Sequence, residues 1–150
     1  MARINWVRML VGGLIATIIA FVTDGFLHER LLHSDWQAIY HNLGVVPSEH
    51  GGHIIHFVVF ELGRGLVSIF IYVMMRPHFG PGPKTAALAG VVGWIAFSVT
   101  GPAQFIPLGF FSNTLWVKVV AFQLVTSILA AVAGAALYKD AVAAPARNAS

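Results

Sequence analysis

The chain has 150 residues, of which 57% are hydrophobic and 10% charged, and its formal charge is +3. A water-soluble domain carries about 25% charged residues. That contrast and a mean hydropathy of +0.77 exclude an ordinary soluble protein. There is no cysteine, so disulfide, thiolate and iron–sulfur chemistry are excluded as well.

A bilayer core takes about 20 apolar residues per helix, so the length leaves room for about four spans. The first is expected over roughly 4–27. Arg3 and Arg8 precede its apolar run, but "TDGFLHER" follows in place of a small-residue cleavage site, so it reads as an uncleaved span rather than a signal peptide. In "LLHSDWQAIYHNLG", Leu31, Leu32, Trp36, Ile39, Tyr40 and Leu43 recur at three- and four-residue steps, which predicts a short amphipathic helix on the membrane surface. Gly44, Pro47 and Gly51-Gly52 punctuate the loop that follows.

The second span is expected over 54–75, stopped by the prolines and glycines of "RPHFGPGPK". The third is expected over 85–106, interrupted near Gly101-Pro102, and the fourth over 115–138. Residues 1–140 then form one all-α, four-helix transmembrane domain, and 141–150 a mobile tail. Gly12/Ala16/Ala20, Ala86/Gly90, Ala89/Gly93 and Ala130/Gly134 place small residues four apart, the spacing that lets membrane helices approach closely.

Charge patterning gives an orientation. Arg3, Arg8, Arg76, Lys84, Lys139 and Arg147 fall on one side of four spans, against Arg30 and Lys118 on the other. The positive-inside rule then places both termini in the cytoplasm. Asp24, Glu29, Asp35, Glu49 and Glu61 fall in the outer half, as do His28, His33, His41, His50, His53 and His56.

Two constellations could carry chemistry. On an ideal helix Asp24 and His28 share a face, while Glu29 and His33 form a second acid–His pair on nearly the opposite one, expected on the solvated surface. Asp24 lies deeper in the apolar run and needs a partner, for which His28 is a candidate. In "HGGHIIHFVVFELGR" (50–64), His53, His56, Glu61 and Arg64 fall within an arc of about 140°. Glu61 and Arg64, three apart, are expected to pair. If the first two spans are neighbours, Asp24, His28, His53 and His56 could meet. Three imidazoles and a carboxylate suit zinc or copper, with iron a further option, and His28 facing His56 would be the best pair for a haem. The plainer alternative is that these histidines only anchor and hydrogen-bond at the interface. Gln123, a mid-helix amide, is expected to hydrogen-bond across the bundle beside Glu61 and Arg64. Lys118 is expected to snorkel, and Trp6, Trp36, Trp94 and Trp116 to lie in an interface belt or pack. No phosphate loop, HExxH, nucleophile triad or dinucleotide fingerprint is present.

"DGFLHERLL…DW", "YVMMRPHFGPGPKTA" and the terminal "GAALYKD" together resemble a family of small uncharacterised bacterial four-span membrane proteins. The family's first motif, an acidic residue with His or Asn four positions later, maps onto Asp24 and His28. The resemblance implies four spans in a bacterial inner membrane and no particular activity. The histidines at 33, 50, 53 and 56 lie outside its pattern.

The expectation is therefore a non-enzymatic membrane protein, an accessory subunit of a larger complex, whose partners are the bilayer and another protein or a second copy, with no nucleic acid. One alternative is an outer-face metal-binding protein or metal-dependent oxidoreductase using zinc or copper. The other is a small transporter or channel, acting as an oligomer, with Glu61, Arg64 and Gln123 along its path.

Overall fold

In a computed structural model, the structure describes residues 4–46, 54–110 and 112–140. His53 and the C-terminal tail therefore lie outside the described residues. The described chain is all-α, in the order α1 (Trp6–Phe26), a π-helical turn (Leu27–Leu31), α2 (His33–Leu43), α3 (Ile54–Phe79), α4 (Pro83–Trp94), a second π-helical turn (Ile95–Val99), α5 (Thr100–Ala103) and α6 (Asn113–Ala136). Four continuous helical stretches are long and apolar enough to cross a membrane: Trp6–Leu31, Ile54–Phe79, Pro83–Ala103 and Asn113–Ala136. The fold is a four-helix membrane bundle.

Its surface is the reverse of a soluble protein's. Only 28–39% of each span's apolar window is buried, so most of the apolar side chains face outward. Leu10, Leu14, Ile18 and Val22 step along α1 by one turn and are all exposed. A continuous apolar exterior of this kind fits lipid rather than water. The interior is built from small residues: Ala16, Ala89 and Ala131 have no exposed surface, and Ala20 and Ala86 almost none. Helix α1 packs on α3 and α6, and α4 packs on α3 and α6, so the four spans close a ring in chain order. At the α1–α6 crossing, a Cβ on Gly12 would stand 2.5 Å from the Gly134 carbonyl oxygen. That crossing exists only because both positions lack a side chain.

The helix ends follow local chemistry. Asn5 caps α1 by accepting from the Arg8 N–H at 3.2 Å, and Ser112 caps α6 by accepting from the Leu115 N–H at 3.1 Å. Helix α2 stops at Gly44, with φ of 64°, the left-handed closure that glycine provides. Helix α3 runs a turn beyond the expected stop, to Phe79 with Pro77 inside it. It ends at Gly80, whose φ is 77°. A proline constrains chiefly the residue before it and the turn that would accept its missing N–H. Here the positive-φ glycine ends the helix instead.

The two motifs flanking this turn meet in space. Arg76 pairs with Asp140 at 2.7 Å, and its guanidinium lies 5.7 Å from the Tyr72 ring and 4.8 Å from the Tyr138 ring. Tyr138 in turn accepts from the Asn5 N–H at 3.3 Å. The α3–α4 turn is thus tied to both ends of the described chain. This will be called the terminal end of the bundle, and the opposite one the α2 end.

Candidate functional site

The polar residues of three spans converge toward the α2 end. Arg64 of α3 donates from Nη1 to Asp24 Oδ2 of α1 at 2.9 Å, and its Nε stands 3.0 Å from Glu61 Oε2. Gln123 of α6 donates from Nε2 to the same Asp24 oxygen. All four side chains are buried. The planar guanidinium fork is suited to this task, because it offers separate N–H groups to two carboxylates while staying charged. The chemistry explains the convergence: an ionised group at bilayer depth has no water to fall back on, so each must find a partner within the bundle. The pairing is incomplete. Asp24 Oδ1 and Arg64 Nη2 have no hydrogen-bond partner among the described residues, and Glu61 Oε2 is close to Arg64 without an aligned hydrogen bond.

Asp24 therefore turns to Arg64 and Gln123, and its expected partner His28 is engaged elsewhere. Trp36 of α2 donates from Nε1 to His28 Nδ1 at 2.9 Å. A neutral imidazole that accepts at Nδ1 carries its proton on Nε2, and a metal needs a free lone pair on one of these nitrogens. His28 can ligate only by breaking its bond to Trp36. Among the described residues no group of three or more His, Asp or Glu side chains is placed to hold a metal ion. Of the four metal candidates, Asp24, His28 and His56 border one cavity, and His53 lies outside the described residues.

That cavity is the main feature of the α2 end. It has a volume of about 840 Å³ and opens between all four spans and α2. Asp24, Glu61 and Gln123 lie along it, with Arg64 behind them. Its aromatic surface comes from Phe21, Trp36, Phe57, Phe60, Phe97 and Trp116, with Phe60 and Phe97 in edge-to-face contact at 6.2 Å. Deeper in the bundle, beyond Arg64, a void of only about 10 Å³ remains, bordered by Ala16, Gly65, Ser68 and Ser127. That is room for about one water molecule.

Both π-helical turns lie at this end. The first closes with the Leu32 N–H donating to the Leu27 carbonyl at 2.9 Å, and the second with the Thr100 N–H donating to Ile95. Such turns occur often at functional sites. Glu29 and His33, expected on the solvated surface, are exposed and also border the cavity. A π turn takes up one extra residue, so the residues along and beyond it swing back toward the Asp24 face. The second sits just before Pro102, which has no N–H to give to the preceding turn.

Sequence reasoning missed several participants. Trp36 was expected only to pack or sit in a belt, yet it sets the orientation of His28. Lys118 was expected to snorkel, yet it pairs with Asp35 on α2 at 2.9 Å and helps hold α2 over the end of α6. Leu27, Leu32 and Leu115 are buried beneath α2 with Trp36 packed against them. Asp35 and Lys118 are 83 residues apart, and no local pattern signals such a pair. The α2 amphipathicity was visible, but not the face it would cover.

No protein-family model matches the chain, and no curated protein or solved structure matches it.

Proposed function

We propose that this chain is a non-enzymatic, multi-pass membrane protein that takes a small amphiphilic molecule into the cavity at the α2 end. The observation that carries this reading is the cavity itself. A volume of about 840 Å³ lies within the range of small-molecule sites, about 300–1,000 Å³, and a largely aromatic lining with a few convergent polar groups is their usual composition. Beyond the Asp24–Arg64–Gln123 network a void of about 10 Å³ borders Arg64. A cavity beside Glu61 and Gln123 favours a binding protein over a purely structural subunit. The location we propose is a bacterial inner membrane, with both termini cytoplasmic and the cavity opening toward the outer face. The charge distribution supports this orientation.

The chain contains no cysteine, so one introduced thiol reports one position. Gly25 borders the cavity, and a side chain added there meets nothing within 4 Å. Ala89 is fully buried. A Gly25→Cys chain should react with a small water-soluble thiol reagent, and an Ala89→Cys chain should not. Equal inertness of the two would mean that the cavity is closed to solvent and would remove the reading.

A further inference from the structure

The charge of the cavity narrows what it can hold. Its lining includes three carboxylates, Asp24, Glu29 and Glu61, and no lysine or arginine. The nearest cation, Arg64, sits behind them and is shared between two acids. Asp24 and Glu61 set two carboxylates against the single guanidinium of Arg64. Asp24 is 94% buried, at 6% exposure, borders the cavity, and has one oxygen without a partner among the described residues. A buried carboxylate oxygen left unpaired is costly. Aromatic side chains from all four spans and α2 border the same cavity, and aromatic rings favour a desolvated cation.

From this we infer that the cavity binds a lipophilic monocation, such as an organic amine or a quaternary onium ion, with its charge at Asp24 and Glu61 and its apolar body against the aromatic walls. The inference rests on the reading of the cavity as a ligand site and adds the sign and class of the ligand. Each part of the site has a distinct task. Arg64 holds the two carboxylates at fixed positions, and Gln123 occupies the other side of Asp24 Oδ2. Phe57 and Phe60, on the first turns of α3, are exposed and border the cavity. The other titratable groups of the lining are the imidazoles of His28, His33 and His56, and the three carboxylates oppose an anion.

The test compares three probes of similar bulk on the purified full chain, by equilibrium dialysis in detergent with empty-micelle controls. They are the tetraphenylphosphonium cation, the neutral triphenylphosphine oxide and the tetraphenylborate anion. The cation is expected to bind at least tenfold more tightly than the neutral probe, and the anion not to bind above the micelle control. Asp24→Asn and Glu61→Gln should each weaken the cation at least tenfold and leave the neutral probe within about threefold. Gly25→Leu puts a branched side chain on the cavity wall, at a position where an added Cβ meets nothing within 4 Å, and should weaken binding of both at least tenfold. If the acid variants fail to fold, the three-probe comparison on the native chain and on Gly25→Leu decides by itself. Cation and neutral probe binding equally, or the anion binding best, overturns the charge assignment while the ligand site stands. No probe binding, or binding unaffected by Gly25→Leu, overturns the ligand site as well.

Discussion

At Arg64 one side chain holds two acids from two helices inside a membrane bundle. A buried ion group of this kind is weak evidence for stability as a whole, yet removing one member leaves unmatched charge behind. Arg64→Leu leaves Asp24 and Glu61 facing each other without a cation. It should destabilise the bundle by about 3–5 kcal/mol, read as loss of the unfolding transition in detergent. Replacing all three charges together, with Arg64→Leu, Asp24→Asn and Glu61→Gln, should recover most of that loss, because neutral groups of similar shape leave no unpaired charge. A triple variant as unstable as the single one would rule out the ion-network account. The pairing of Glu61 with Arg64 was legible from a spacing of three on one helix. The arrival of Asp24 was not, because its partner is 40 residues away and His28 is the nearer candidate in sequence.

Among the elements, the spans were readable because apolar runs of sufficient length have only one use. Their ends and irregularities were not. A π turn depends on one shifted hydrogen bond, and its sequence looks like any other helix, so the faces assigned to residues beyond Leu31 were out of phase by one residue, about 100°. Small-residue seams were legible as seams, but not which helix each would meet. The α1–α6 crossing allows a sharp comparison. Gly12→Ala places a methyl against the Gly134 carbonyl at 2.5 Å and should destabilise by about 1–3 kcal/mol, the usual range for overpacking. Gly63, on the exposed side of α3, has nothing within 4 Å of an added Cβ. Gly63→Ala should be neutral or stabilise by up to about 1 kcal/mol through helix propensity. Thermal unfolding of the two variants in one detergent checks the pair, and similar shifts for both would mean that close backbone approach is not what limits this crossing.

For the whole molecule, the two ends have different jobs. The terminal end is tied by Arg76, its two tyrosines and Asp140, whereas the α2 end opens into the cavity. If the basic residues set orientation, a reporter active only outside the cytoplasm should be inactive when fused after Ser150 and active when placed between α2 and α3. The opposite pattern would invert the proposed topology. Composition and the lengths of apolar runs by themselves determined the class of this protein, an all-α bundle of four spans. Those properties are sums over residues and need no knowledge of which helix touches which. The site was decided only by tertiary structure. Whether Asp24 faced a histidine, a metal or an arginine depended on how α1, α3 and α6 packed, and on one extra residue in the turn at Leu27–Leu31. Those are relations between distant segments, set by close packing of small residues and by the need of each buried charge for a partner. A one-dimensional pattern carries neither.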